Sequence, residues 1–508
     1  MAKNIKDQAK ESFFWTALFQ VFEFVLRFGS SIVLARILFP EDFGLMGLTS
    51  IAIQFARRLT NFGLTSVLVQ LKEIKDDHYH TVFWMNFGLL TVVAGIVYFS
   101  APFYAGFFGE PQLLPIMQLI AFDFILKSFA SVPQSILRRN MKFKEANMAH
   151  TIGKMTMIIT TIILAVMGYG VWSLVFGTLA GSFLQRAAVI RFALKVSDWR
   201  PRFRFKMWAL KDTFSFGAWL YINAFVGYGI NKVDYFFIGK FMGAAQLGFY
   251  ERAFDLMSLP RKRLVRKINT VAFATYSRIQ DDGERLIRGL LRVTSYLSIV
   301  TYPLMIWLFF AAPAFIILLY GEKWAFSILP LQIMCVSGLV DSFTLIFHPL
   351  LKARGLIGNS VRRDMIYLTI LTACVLGSIF YIGGIEGVAW GIVVASFIRL
   401  SLMVSLTIRH LPLSLWKFVL AQKSAMVYGG FQIGVLYLFQ EGAKPYFAVE
   451  SLNMLVSVSA LSLLTVFGSH MIIRFKDVDN VFQEFFGDLK KFSRKLPVLK
   501  RLSFLHGK

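Results

Sequence analysis

Acidic residues are scarce in this sequence, with 29 Asp and Glu against 54 Lys and Arg. Cysteine is scarcer still. Cys335 and Cys374 lie in apolar stretches far apart in the chain, which excludes a disulfide framework and a cysteine-based metal motif. Seven scattered histidines form no metal set either. No G-x-x-x-x-G-K-[ST] loop occurs, so ATP hydrolysis by this chain is not expected. No polar segment between apolar stretches is long enough to fold into a soluble catalytic domain. That argues against a lipid-modifying enzyme with a folded head, and against an enzyme of any kind. The net charge of +25 would suit nucleic acid in a soluble protein. In a membrane protein the location of the charge outweighs its sum, and no nucleic-acid partner is expected.

Apolar residues are abundant. They make up 56% of the chain, 53 of them Phe, and mean hydropathy is +0.61. Soluble domains typically hold about 45–50%. A span needs about 20 predominantly apolar residues, and the pattern predicts an all-α polytopic protein of about fourteen spans. They run over 13–38, 42–66, 82–104, 114–136, 147–168, 170–192, 213–239, 243–260, 288–312, 327–350, 364–382, 385–408, 424–440 and 449–473. The polar start and a first apolar stretch long enough to span predict no cleavable signal peptide. Alternate inter-span segments carry 40 Lys and Arg on one side and four on the other. The positive-inside rule then places both termini in the cytoplasm. Beyond Asp477 the tail alternates Phe and Leu with Lys and Arg. It reads as an amphipathic helix on the inner leaflet, or two short ones broken by Pro497.

An internal repeat runs through the chain. Phe43-Gly44-Leu45 corresponds to Leu247-Gly248-Phe249, and Phe108-Gly109-Glu110 to Tyr320-Gly321-Glu322. Pro133 and Pro349 fall at equivalent depths, and Ser182-Phe183 with Arg186 matches Ser396-Phe397 with Arg399. These matches keep one order along the chain. They predict two six-helix lobes, 1–205 and 206–412, with an additional transmembrane pair over 413–474 and a basic cytoplasmic tail over 475–508. An even number of helices per repeat gives both lobes one orientation, related by a pseudo-two-fold along the membrane normal. Such transporters hold substrate between the lobes.

Away from the span ends, ten cations lie inside the expected spans: Arg27, Arg57, Arg58, Lys127, Lys154, Arg186, Lys232, Arg252, Arg292 and Arg399. Only six acids lie as far from the span ends, namely Glu23, Asp123, Asp234, Glu251, Asp255 and Asp341. A cation in hydrocarbon is costly, so such residues face a bundle interior or a water-filled cavity. Their surplus points to an anion. Glu23 with Arg27, Asp123 with Lys127, and Arg252 with Asp255 are spaced to pair on one helix face. Arg57 and Arg58 have no acid within a turn, and adjacent helical positions diverge, so one lines a cavity and the other meets a neighbouring helix or snorkels. Lys154, Arg186 and Arg292 lie near span ends and read as snorkelling. Arg399 is deeper, and Lys232 lies near the outer end of its span. The Pro260-Arg261-Lys262-Arg263 run is either a helix continuing to a cavity mouth or a loop on anionic headgroups. Gly177 with Gly181, and Gly239 with Gly243, are small-residue spacings that suit close helix packing.

Several pieces in order resemble one family. They are Ala35-Arg36-Ile37-Leu38 running into Phe43-Gly44, then Phe62-Gly63-Leu64-Thr65-Ser66-Val67-Leu68-Val69-Gln70. Leu137-Arg138-Arg139-Asn140-Met141-Lys142-Phe143 and Tyr276-Ser277-Arg278-Ile279-Gln280-Asp281-Asp282 follow. They resemble the Wzx-type polysaccharide flippases of the multidrug/oligosaccharidyl-lipid/polysaccharide exporter superfamily, in the branch exporting colanic-acid-like, capsule or O-antigen units. The resemblance implies two bundles around a central cationic cavity, alternating access, and an undecaprenyl-pyrophosphate-linked oligosaccharide as substrate in a bacterial inner membrane. By helix and depth it implies Arg27, Arg57 and Arg252 as cavity arginines. Glu23, Arg58, Asp123, Lys127, Lys232, Asp255 and Arg399 are secondary candidates. It implies no cofactor or metal; its partners are membrane lipids and a polysaccharide polymerase with its chain-length machinery. The alternatives are a drug exporter of the same superfamily, whose cationic substrates would want acids in the cavity, and a non-transporting partner in a polysaccharide assembly complex.

Overall fold

Backbone amides in hydrocarbon find no water, so a chain this apolar must satisfy them within helices. The computed structural model describes residues 5–60, 68–69, 74–206 and 218–472, and every regular element among them is helical. The motif running from Phe62 to Gln70 lies largely outside the described residues, and the expected tail over 475–508 lies wholly outside them, as do the side chains of Pro260 to Lys267.

The first six long helices are α1 (Ile5–Ile37), α2 (Pro40–Leu59), α3 (Asp76–Phe108), α4 (Leu113–Arg139), α5 (Phe143–Val166) and α6 (Val171–Leu194). Their ends follow local chemistry. Pro40 opens α2, where its missing N–H costs nothing, and the Phe39 N–H donates to the Asp42 carboxylate at 2.9 Å. Gly109 closes α3 at φ +74°, a left-handed cap that suits glycine. Next comes α7 (Ala218–Arg278), 61 residues long. As one rod it would be about 90 Å at 1.5 Å per residue, three times the hydrocarbon thickness. Gly243 breaks it, with φ +84° and ψ 174°. The second half continues as helix through Pro260.

The remaining elements are α8 (Gly283–Tyr320), a 3₁₀ turn (Glu322–Ser327), α9 (Ile328–Leu345), α10 (Phe347–Ala353), α11 (Ile357–Tyr381), α12 (Gly384–His410), α13 (Leu415–Leu420), α14 (Lys423–Ala443) and α15 (Leu452–Ile472). Helix underlies most of the described part of each of the fourteen stretches read as spans. Among the described residues, nine helical segments are by themselves long and apolar enough to cross a membrane.

Contacts divide the chain into two units that differ from the repeat. The first is Met1–Arg252 with Leu319–Phe326 and Val375–Val388; the second is Ala253–Leu318, Ser327–Cys374 and Ala389–Lys508. Within the first unit, α5 and α6 pack so closely that a Cβ on Gly177 would lie 1.9 Å from Thr161 Oγ1. One on Gly153 would meet Gln185 Cβ at 2.5 Å. Gly177 and Gly181 thus serve helix packing. Residues 319–326 are tied to the end of α1. The buried Trp324 donates to the Ala35 carbonyl at 2.8 Å, and Lys323 donates to those of Arg36 and Leu38 at 2.9 and 2.7 Å. In the second unit, Leu286, Leu290, Phe343, Phe347 and Met403 form the core, while Phe310, Leu436 and Met454 seat α14 and α15 against α8.

A cationic cavity among the first six helices

Helical periodicity places polar residues on one stripe of each of three adjacent helices. On α4 these are Lys127, Ser131, Gln134, Ser135 and Arg138; on α5, His150 and Lys154; on α6, Thr178, Ser182, Gln185 and Arg186. Their separations of three, four and seven residues keep each set on one face. The three stripes, with Arg57 and Thr60 of α2 and Asn86 of α3, enclose a cavity of about 480 Å³. It lies in the half of the bundle nearer the α4–α5 turn. The missing side chains of Gly153 and Gly181 bring the α5 and α6 walls together: a Cβ on Gly181 would lie 2.6 Å from the Gly153 carbonyl oxygen.

Five Lys and Arg line this cavity, with His150, and no carboxylate does. Asp123, 3% exposed, lies behind this lining. Arg186 donates to both its oxygens, at 2.7 and 2.9 Å, in the fork geometry that makes charge-assisted pairs strong. Arg57 approaches the same carboxylate at 3.5 Å, with about half of its side chain (48%) still exposed. Asp123 thus anchors two arginines from helices far apart in sequence and leaves the cavity in cationic excess. Arg27 and Glu23 of α1 are charged neighbours of Lys154.

Several expected partnerships differ. Asp123 pairs with Arg186 and Arg57, and among the described residues Lys127 forms no ion pair. Glu23 faces α5, 3.5 Å from Thr151 Oγ1 and 3.8 Å from His150 Nε2; it makes no ion pair with Arg27 among the described residues. Lys154 and Arg186 line the cavity instead of snorkelling. Residues on one helix four apart are neighbours, but facing helices offer shorter approaches, and those prevail. The cavity also holds Asn86, Ser131, Gln134, Ser135, Thr178 and Gln185, which charge counting overlooks. The signal that reveals them is the polar stripe at helical spacing through apolar spans.

The other candidates lie elsewhere. Arg252 donates to Ser31 Oγ at 2.9 Å and stacks 3.9 Å from the Phe43 ring centroid, near where α1 ends and α2 begins. Arg58 lies 5.5 Å over the Tyr228 ring, and Lys232 lies 3.8 Å over Tyr235. Asp234 is buried and accepts from Tyr250. Asp255 is half-buried, in the second unit.

In that unit Arg399 is 9% exposed, bonded to Asp364 at 3.0 Å and stacked 4.7 Å over Tyr367, with Asp341 a further charged neighbour. Removing one partner of a buried pair leaves an uncompensated charge, at about 3–5 kcal/mol; replacing both by apolar groups is often neutral. Arg399→Leu is therefore expected to lower the thermal midpoint sharply, and the Arg399→Leu/Asp364→Leu double variant to recover most of it. Equal losses in the two would mean that packing, not charge, dominates there.

Three comparisons bear on identity. Residues 33–329 match the model of the family described as polysaccharide biosynthesis protein. The lipopolysaccharide biosynthesis protein WzxC of Escherichia coli K12 is 26% identical over 412 residues, covering 79% of this chain and 83% of that one. The succinoglycan biosynthesis transport protein ExoT of Rhizobium meliloti is 28% identical over 345 residues, covering 67% and 68%. Among solved structures, the lipid II flippase MurJ in an inward closed conformation superposes with a TM-score of 0.68 at 16% identity, over 93% of this chain and 99% of that one. An inward-facing multidrug resistance MATE family transporter of the MOP superfamily gives 0.57 at 16%, over 82% and 95%. The two structures show the fold, and the family model covers more than half of the chain. With its long apolar helices and no strand among the described residues, the chain is a multi-pass membrane protein and belongs to the family described as polysaccharide biosynthesis protein.

Proposed function

We propose that the protein carries an undecaprenyl-pyrophosphate-linked oligosaccharide from the cytoplasmic to the periplasmic leaflet of a bacterial inner membrane by alternating access. The observation that carries this is the cavity itself, with five cations and no carboxylate in its lining. A pyrophosphate is multiply charged, and crossing hydrocarbon with it is prohibitive without compensating cations. Arg57, Lys127, Lys154 and Arg186 offer that compensation within one cavity. Asn86, Ser131, Gln134 and Gln185 offer the neutral donors and acceptors that hydrated sugars require. Arg27, a charged neighbour of Lys154, extends the cationic field toward α1. Arg252, held by Ser31 and Phe43, has a share in the anion site only if it leaves that seat. The positive-inside bias puts both termini in the cytoplasm.

The reciprocal approach of two repeat-related glycines supports the two-lobe reading, 1–205 and 206–412. A Cβ on Gly44 would lie 1.7 Å from the Ala244 carbonyl oxygen, and one on Gly248 would lie 1.9 Å from that of Pro40. Each glycine meets the carbonyl four residues before the other, as a two-fold relation requires.

A drug exporter for cations is disfavoured, since its substrate would meet five like charges. A passive scaffold would have no use for polar stripes around an open volume. The test is leaflet accessibility of radiolabelled lipid-linked oligosaccharide in inverted vesicles. A hydrogen bond to a charged group is worth about 1.5–3 kcal/mol, so Arg57→Gln and Lys127→Gln should each slow transfer by about tenfold to a hundredfold. Wild-type transfer by both variants at matched membrane levels would overturn the assignment.

A further inference from the structure

On the other face of the α4–α6 pair lies a second cavity of about 460 Å³, lined almost entirely by apolar groups. Phe83, Phe129, Pro133, Ile136 and Trp199 form its walls, and Arg200 stands at its edge. The wall containing Trp199 is a strap after α6, whose sequence from 199 reads Trp-Arg-Pro-Arg-Phe-Arg-Phe-Lys. Odd positions are apolar and even positions cationic, and the strap bends at Phe203, where the Arg204 N–H donates to the Arg202 carbonyl at 2.8 Å. The backbone is fastened to the first turns of α3. The Arg202 N–H donates to His80 Nδ1 at 3.2 Å, that of Lys206 to Thr81 Oγ1 at 3.1 Å, and Trp84 Nε1 donates to the Arg202 carbonyl at 2.9 Å. Phe203 packs on Trp84 and Trp199 on Phe83, with centroids 5.1 and 5.9 Å apart.

Arg200, Arg202, Arg204 and Lys206 are all exposed, and none forms an ion pair among the described residues. The Trp199 indole N–H is buried without an acceptor. An apolar slot beside a fixed row of unpaired cations suits one kind of ligand, a lipid with an anionic head. The apolar wall suits an acyl chain, and the exposed cations beside it suit a phosphate.

We propose that this slot and strap bind an anionic glycerophospholipid of the surrounding bilayer, one acyl chain against Phe83, Phe129 and Trp199 and its phosphate on Arg200 and Arg202. The site is separate from the cavity assigned to the transported lipid.

Trp199 is a built-in reporter. The full-length protein is placed in nanodiscs containing phosphatidylglycerol with brominated acyl chains, or brominated phosphatidylcholine as the neutral probe. Subtracting the fluorescence of Trp199→Phe isolates the signal of this residue. Half-quenching is expected at a mole fraction of phosphatidylglycerol about fivefold or more below that of phosphatidylcholine, since each cation near a membrane surface contributes that much. Arg200→Gln/Arg202→Gln should abolish the preference, and Ala193→Phe, which fills the slot, should weaken quenching by both lipids. Thermal midpoints in neutral lipid, unchanged for the Gln variant, exclude misfolding as the cause. Equal quenching by the two lipids would overturn the proposal. So would displacement of the brominated phosphatidylglycerol by undecaprenyl phosphate at lower mole fraction than by unlabelled phosphatidylglycerol, because the slot would then belong to the transported lipid.

Discussion

Asp123→Ala is expected to lower stability by about 3–5 kcal/mol, the cost of stripping the counter-charge from a buried pair. Asp123 is 3% exposed, and Arg186, which donates to both its oxygens, keeps 14% of its side-chain surface exposed. Without the carboxylate, Arg186, Arg57 and Lys127 would share one volume with no acid in its lining. The measurement is the thermal midpoint of the purified protein in nanodiscs. Asp123→Asn should fall between Ala and wild type, since an amide accepts from Arg186 but carries no charge. The proposed function adds a second outcome. Undecaprenyl pyrophosphate should raise the midpoint of Asp123→Ala more than that of wild type, because a bound ligand stabilises by its affinity and the variant has more free cation to offer. A destabilised variant indifferent to the pyrophosphate lipid would leave the ion pair intact as a structural feature and remove the cavity as its binding site.

Gly44→Val should be the most disruptive single change at the contact between α2 and the second half of α7. The new Cβ would occupy space 1.7 Å from a backbone oxygen, and the equivalent position at Gly248 offers 1.9 Å. Neither obstacle is a side chain that can turn aside. The helices must separate, and overpacking of this kind costs at least about 1–3 kcal/mol. Gly248→Val should behave alike, and the double variant should lose less than the sum of the two, because the first substitution has already opened the contact. Gly95→Ala is the control. Nothing lies within 4 Å of its Cβ position, and alanine is the better helix former. Its midpoint should stay level or rise. If Gly44→Val melts with the wild type, the close approach has no energetic weight.

The membrane class, the positions of the helices and the surplus of cations were all legible in the chain, because each follows from local composition. Hydrocarbon forces apolar runs of sufficient length into helices, and the described parts of the stretches read as spans fall largely on helix. Two apolar runs, 213–239 and 243–260, were legible where α7 lies, but Gly243, read as a packing partner of Gly239, is itself the break: its φ is +84° and nothing lies within 4 Å of its Cβ position. The partners of the charges were not legible either. Spacing of four residues joined Asp123 to Lys127 and Glu23 to Arg27, whereas the carboxylate of Asp123 meets Arg186, 63 residues away, and Arg57. The family resemblance, carried over by helix and depth, grouped Arg57 with Arg27 and Arg252. In the structure Arg57 lines one cavity with Lys127, Lys154 and Arg186, and Arg252 sits on Phe43. Depth is a one-dimensional quantity that a sequence carries. Rotation of each helix about its axis is not, since it is set by which small residues allow close approach, as Gly153, Gly177 and Gly181 do between α5 and α6. The sequence thus determined that buried cations outnumber buried acids. Only the tertiary structure decided which of them face one another, because a charge at depth binds whatever the neighbouring helix turns toward it.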